Sequence, residues 1–309
     1  MAVGAERIGF APVAGATMWK ASGGRFVASM ISINSSFGPA EISVDNVGEG
    51  PVVLLIAGLG GRGSFWRKQV PALAPHFQVV THDHRGTGAS SRSHIIYSAE
   101  QMAEDVIALM DSMKIERAHV VGHSTGGAIG QFLALNHPDR VERLVISAGW
   151  AGPTELFIET FRLRRQVLIT QGPQAYYFLS SLLAQPAEVL RPDFGSLAQH
   201  LENRMPDFPG LEIELSRLAA VMSHDLRNDL ARIRTPTLVI GAEDDQLTPC
   251  GMQREVAERI PGAKFELLAR GGHFYPVTNA DTFNALLLDF LQQPAVQRPA
   301  DARLAGGRA

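Results

Sequence analysis

The chain has 309 residues, a formal net charge of −3, 45% hydrophobic residues and a single cysteine, Cys250. That apolar content fills a sizeable core and excludes a disordered chain. The near-neutral, interspersed charge leaves no basic stripe for nucleic acid or an anionic membrane. One cysteine rules out an internal disulfide and the CxxC zinc and redox patterns.

No apolar run approaches the ~18 residues of a membrane span. The stretch up to Gly24 carries Glu6, Arg7 and Lys20 among small residues and lacks a continuous apolar signal core, so a cytoplasmic protein is expected. Residues 1–26 read as an N-terminal extension. Val27 to Ile33 and Glu41 to Val47 then read as an antiparallel strand pair. From Pro51 onward short apolar runs alternate with helical patterns, the mark of a parallel sheet with crossover helices. Val52 to Ala57, Phe77 to Thr81, Ala118 to Val121, Leu144 to Ile146, Leu238 to Ile240 and Phe265 to Leu268 are the expected core strands. Unbroken apolar runs of this kind suit strands covered on both faces.

Between them, Ser98 with Gln101 three residues on predicts a capping box, followed by Met102, Val106, Leu109 and Met113 on one helical face. Thr248 and Pro249 predict an N-cap and first-turn pair before Met252, Val256 and Ile260. Phe283, Leu286, Leu287, Phe290 and Leu291 form the last apolar stripe.

From Pro153 to Arg232 the alternation stops. Phe157 to Ile169, Gln174 to Leu183, Ser196 to Asn203 and Glu212 to Met222 predict helices, with Pro- and Gly-containing joints. The expected organisation is a core of residues 27–152 and 233–293, a helical cap over 153–232 above the carboxyl ends of the strands, and a disordered tail over 294–309. Within the cap, Arg162, Arg164 and Arg165 are expected on a solvated helix face. Trp66, Trp150, Tyr176, Tyr177 and Phe178 are expected mainly as core packing.

The strongest local signal is Val120-Val121-Gly122-His123-Ser124-Thr125-Gly126-Gly127-Ala128, a G-x-S-x-G between an apolar strand and a helical pattern. A serine there stands on a sharp, strained turn, and glycines are needed on either side where a side chain would collide. The helix that follows points its N-terminus at the reacting oxygen. Serine needs a base. Of ten histidines, His273 is the best placed, following the last strand in Ala269-Arg270-Gly271-Gly272-His273. His123, beside Ser124, should point away. The imidazole needs an acid; Asp245 is chosen and Asp244 stays open, while Glu243 reads as a solvated charge. An oxyanion needs two backbone donors: Thr125, and Leu59 in Gly58-Leu59-Gly60-Gly61.

Together these residues resemble the α/β-hydrolase superfamily over roughly Glu41 to Leu291. His82-Asp83-His84-Arg85-Gly86-Thr87-Gly88-Ala89-Ser90 looks like that superfamily's D-x-R-G-x-G-x-S loop, which implies scaffold roles for Asp83 and Arg85. His82 and His84 also invite a metal reading, but the further ligands of a metallohydrolase are missing. Leu55-Ile56-Ala57-Gly58-Leu59-Gly60-Gly61, Phe65-Trp66, and Gly271-Gly272-His273 through Thr282 to Leu288 look closest to the pyrimidine-utilisation aminoacrylate hydrolase group and its lactonase-like neighbours. Ala57 stands where many members carry His, and the serine elbow is complete where some close members lack it. The resemblance implies an α/β fold with a mostly parallel central sheet, helices on both faces and an inserted helical lid. It also implies cleavage of a small-molecule ester, lactone or carbamate/enamine-type C–N bond through an acyl-enzyme. C–C bond hydrolysis on the same triad is the enzymatic alternative, and a ligand-binding protein with little turnover the non-enzymatic one. No cofactor, metal, nucleic acid or membrane is expected. The expected partner is a small-molecule substrate, with a homodimer as the assembly to look for.

Overall fold

The computed structural model describes residues 29–294, apart from 191–194, 196, 198, 200, 203 and 204. The extension expected over 1–26 and all but the first residue of the tail expected over 294–309 lie outside the described residues. So does much of the helix expected from Ser196 to Asn203.

Eight strands form one sheet in the order β1-β2-β4-β3-β5-β6-β7-β8. β1 (Ser29–Ser35) and β2 (Gly38–Val47) pair antiparallel, and β2 pairs antiparallel with β4 (Gln78–His82). The remaining strands are parallel: β3 (Val52–Ile56), β5 (Ala118–His123), β6 (Val141–Ser147), β7 (Thr237–Ala242) and β8 (Lys264–Leu268). The apolar runs are continuous because both faces are covered. On one face Leu54, Ile56, Val120, Leu144, Ile146 and Val239 are buried in a cluster that includes residues of α2 (Ala99–Ser112), α3 (Thr125–Asn136) and α8 (Cys250–Arg259). On the other, Val53, Leu55, Val121, Val145, Leu238 and Ile240 cluster with Trp66, with residues of α1 (Val70–Leu73) and with α10 (Ala280–Leu291).

β3 lies between β4 and β5, so the chain runs outward from β3 in one direction and from β5 in the other. That reversal makes a topological switch point, where the loops leaving the two carboxyl ends diverge and open a crevice. Register brings the two ends level, with Ile56 opposite Gly122 and His123 opposite Ser147.

Between β6 and β7 the described residues carry helices and no strand: α4 (Glu155–Gln171), α5 (Pro173–Ala184), α6 (Ala187–Leu190) and α7 (Leu211–Ser223). The Thr154 hydroxyl caps α4 by accepting from Phe157 N–H at 3.2 Å. Gly172 at φ 86° then turns the chain into Pro173, the first residue of α5.

Three local expectations are corrected. Ser98 accepts from Gln101 N–H at 2.9 Å, but the Gln101 amide does not return to Ser98; it donates to Asp105 at 2.6 Å, drawn to the carboxylate that pairs with buried Arg85. Thr248 does not cap α8, which starts at Cys250, because its hydroxyl is turned back toward Asp245. Arg164 is not solvated: it is buried over the rings of Phe161 and Tyr176, at 4.5 and 5.3 Å from their centroids. Arg162 and Arg165 do face solvent.

Candidate active site

At the end of β5 the chain turns sharply at Ser124, with φ 54° and ψ −117°. A non-glycine residue there carries a strain of about 1–3 kcal/mol. What holds it is backbone. Ser124 N–H donates to Ser147 O at 2.7 Å, and Ser124 O accepts from Gly127 and Ala128 N–H at 2.8 and 3.2 Å. The turn is so tight that a Cβ on Gly122 would lie 2.1 Å from Gly126 O, and one on Gly126 would lie 2.1 Å from Ile56 O. Thr125 opens α3, so its N–H is one of the four without an intrahelical acceptor, at the positive end of the helix dipole.

Across the switch point, Gly58 packs against the Ser124 turn, where its Cβ would stand 3.2 Å from Ser124 Cβ. Gly61 N–H closes a turn onto Gly58 O at 2.9 Å, with Leu59 at its bend. Gly61 O accepts from His84 N–H at 2.7 Å and the Thr87 hydroxyl at 2.9 Å. Leu59 O accepts from Arg217 Nη2 at 2.8 Å.

Asp245 and His273, the expected acid and base, meet beyond β6. His273 Nδ1 lies 2.9 Å from Asp245 Oδ2, with side chains 5% and 0% exposed. Burial that deep makes this pair more than a surface ion contact. Asp245 Oδ1 accepts from the N–H groups of Leu247 and Thr248, at 2.9 and 3.0 Å, and Oδ2 from Gln253 Nε2 at 2.9 Å. With Nδ1–H pointing at the carboxylate, Nε2 of the neutral ring is left as the basic nitrogen. Thr248 Oγ1 is 2.8 Å from Asp245 Oδ2, 3.3 Å from His273 Nδ1 and 3.1 Å from Ala148 O. Adjacent Asp244 does something different: its two oxygens accept from Gly271 and Gly272 N–H, at 3.0 and 2.9 Å, and so fix the loop that carries His273.

Two consecutive carbonyls at the end of β6 tie the halves together. Ser147 O holds the Ser124 amide, and Ala148 O holds the hydroxyl that touches Asp245 and His273. No hydrogen bond joins the Ser124 hydroxyl to His273 among the described residues. Such contacts are often long before substrate binds. His123 points away from the crevice, with its ring stacked on Phe65 at 4.8 Å and Nδ1 3.0 Å from Ser147 Oγ. Burial first, and then the neighbouring His273, holds its pKa well below the usual histidine value. It stays neutral and packs beneath the site.

Asp83 braces two loops, accepting from Gly63 and Ala89 N–H at 2.9 Å each. Arg85 is buried on Asp105 at 2.8 Å. His82 and His84 stack on each other, and no group of three or more metal-ligating side chains stands together among the described residues. Glu243 is exposed. Trp66, Trp150 and Tyr176 are fully buried, whereas Tyr177 lines a small pocket with Asp207, Glu214, Gly60, Arg62 and Thr87.

Comparison with known proteins agrees with this architecture. Residues 51–177 match the family model described as alpha/beta hydrolase fold. A Caulobacter sp. (strain K31) protein, provisionally named carbamate hydrolase RutD, is 40% identical over 79% of this chain and 91% of its own length. The chain belongs to the α/β-hydrolase family. It is a hydrolase of the RutD-like group, as a second relative of the same provisional name also indicates: that from Azorhizobium caulinodans is 37% identical over 82% of this chain and 96% of its own. Among solved structures, the enol-lactonase from Burkholderia xenovorans LB400 superposes with a TM-score of 0.76 at 29% identity, covering 85% of this chain and all of that one. No helix of this hydrolase, among the described residues, is long and apolar enough to cross a membrane.

The residues that sequence reasoning missed are those that hold the others. Thr248 lies three residues after Asp245, a spacing at which an aspartate commonly binds the backbone ahead of it. That was the one available signal. Gln253, Ser147 and Tyr275 carry none. The Tyr275 hydroxyl donates to Ile240 O at 2.7 Å, and the Ser147 hydroxyl, also 2.7 Å away, donates to it.

Proposed function

We propose that this hydrolase cleaves a small-molecule carbamate or ester through an acyl-enzyme on Ser124. His273 Nε2 takes the Oγ proton as Oγ bonds to the substrate carbonyl carbon. The amides of Leu59 and Thr125 hold the oxyanion. The carbonyl–leaving-group bond then breaks, and the amine or alcohol leaves with the proton from His273. Water, deprotonated by the same imidazole, releases the acyl group and restores Ser124. Asp245 keeps Nδ1 protonated and stabilises the imidazolium. The helices between β6 and β7 act as a lid that selects the substrate.

The observation that supports this best is the pair of consecutive β6 carbonyls, which anchors the Ser124 turn and the Asp245–His273 cluster at one edge of the sheet. The carbamate preference rests on the names of the relatives. A lactone is the second reading, favoured by the enol-lactonase likeness. A panel of p-nitrophenyl acetate, simple carbamates and lactones ranks them. In Ser124→Ala, kcat should fall by on the order of 10⁶ with the fold intact. The wild-type protein should form an acyl adduct on the peptide that contains Ser124, visible by mass spectrometry. Unchanged turnover in Ser124→Ala would defeat the proposal.

A further inference from the structure

One buried cation is used by none of the steps above. Arg217, on α7, is fully buried and forms no salt bridge among the described residues; the carboxylate that favours its charge is Glu214, buried on the same helix. Its partners are Leu59 O at 2.8 Å, Arg85 O at 3.3 Å, His84 Nδ1 at 3.3 Å and Met102 Sδ at 3.6 Å, and its guanidinium lies 5.6 Å from the centre of the Tyr97 ring. Burial, together with Arg217 itself and His82, holds His84 well below the usual histidine pKa, so His84 meets the cation as a neutral acceptor. Burying a guanidinium without a salt bridge is expensive, and an apolar side chain would fill the same space at lower cost. All five of these partners belong to the core, and the closest is the residue whose amide is assigned to the oxyanion.

The loop is built around that contact. A Cβ on Gly61 would lie 2.8 Å from Arg217 Nη2 and 2.6 Å from Thr87 Oγ1, so glycine, at φ 65°, lets the guanidinium in. Three carbonyls around the Leu59 bend are held: Gly58 O by Gly61 N–H, Leu59 O by Arg217, and Gly61 O by Thr87 and His84. Only the middle of these restraints comes from the helical segment between β6 and β7.

We infer that Arg217 is a positioning residue for oxyanion stabilisation: from the lid it grips the carbonyl of the Leu59–Gly60 peptide, restrains the Leu59 backbone and through it the adjoining Gly58–Leu59 peptide that carries the amide, and makes the site competent only when α7 is seated on the core. This rests on the acyl-enzyme reading. Pre-aimed donors are worth more than donors that must reorganise, so loosening the Leu59 bend should slow the chemical step and leave ground-state binding nearly untouched.

The test compares Arg217→Met and Arg217→Lys with the wild type on p-nitrophenyl acetate, with active sites counted by fluorophosphonate labelling and with phenylboronic acid as a tetrahedral mimic. Removing Arg217 orphans two carbonyls, while Glu214, buried on the same helix, keeps the Tyr176 hydroxyl as a donor at 2.7 Å, so the Met variant is expected to fold. Its kcat per active site should drop about 10²-fold, as for loss of an oxyanion donor. KM should stay within about threefold, and boronate affinity should weaken in parallel with kcat. Lys, which can still reach the Leu59 carbonyl with one donor, should recover about a tenth of the wild-type kcat. A merely structural role would lower the melting temperature and the labelled fraction, leaving kcat per site and boronate affinity unchanged, and would overturn the inference. Failure of both variants to fold would overturn it too. If instead Ser124→Ala stays active and the wild type ignores the boronate, the acyl-enzyme reading itself has failed.

Discussion

On the β7–β8 side of the crevice, position comes from side chains; at the Ser124 turn across from it, it comes from backbone. Asp245 is saturated by donors from Leu247, Thr248 and Gln253 before it meets His273, and Asp244 clamps the glycines that precede the imidazole. Across the crevice, Ser124 sits on a strained turn squeezed between Gly122, Gly126 and the Ile56 carbonyl, with hardly a side chain involved. The difference follows from the tasks proposed for the two halves. A proton-transfer pair needs its pKa and tautomer set, which is work for carboxylates and hydroxyls. A nucleophile needs reach, which is work for dihedral angles.

The largest expected effect separates the two adjacent carboxylates. Asp245→Asn presents a donor to Nδ1 and favours the wrong imidazole tautomer, so kcat should fall by about 10⁴ with KM little changed. Asp244→Asn keeps one acceptor for the glycine amides and loosens the loop by a fraction of an ångström; a loss of about 10- to 10²-fold is expected. Steady-state rates on an activated ester read both. Equal losses would mean that the side-chain half is not divided as described.

The backbone half should break in stability before it breaks in chemistry. In Gly126→Ala the new methyl meets a main-chain oxygen at 2.1 Å, which cannot swing aside as a flexible side chain would. The expected cost is about 3 kcal/mol or more. Thr248→Val on the other side removes hydroxyl contacts and keeps the volume, for about 1–2 kcal/mol. Urea denaturation of the two variants measures the contrast, and a Thr248→Val loss larger than that of Gly126→Ala would reverse it.

This division also decides what could be seen in the sequence. The backbone half was legible, because a strained turn must be written in glycines at fixed spacing, and because strands buried on both faces must be apolar throughout. The side-chain half was legible only as residue types. Thr248 before Pro249 reads as a helix cap, and nothing local says that its hydroxyl turns back toward Asp245, since the pull comes from a carboxylate and from Ala148 O, a hundred residues upstream. Arg164 and Arg217 were illegible for a related reason. A charged residue in a helical pattern looks solvated until tertiary packing supplies Tyr176 and Phe161 for one, and the carbonyls of Leu59 and Arg85 for the other. The Ser98 box was half legible: the cap is set locally, whereas Gln101 is diverted by Asp105.

The smallest expected effect sharpens the comparison through pH. Histidines held neutral by burial gather on the β3–β5 side: His82 at the end of β4, with its pKa pushed down to about 4, and His119 near the start of β5, also at about 4, where Arg143 and Arg117 add to the desolvation. His224, next to the carboxyl end of α7, is pushed to about 4 as well. Each folded pKa lies below the unfolded value of about 6.5. Between pH 4 and 6.5 the unfolded chain therefore binds more protons than the folded one, and stability falls as pH is lowered through that window; above 6.5 the contribution is fully present. Each such group adds about 1.4 kcal/mol per pH unit near the middle of the window. The urea midpoint should drop steeply from pH 6.5 to 4.5, and His119→Gln should remove about one proton from that slope without affecting activity at pH 8. Hydrogen exchange at pH 5 should then accelerate first in β4 and β5. Earlier exchange in β7 and β8 would show that the side-chain half, for all its hydrogen bonds, is the weaker one in acid.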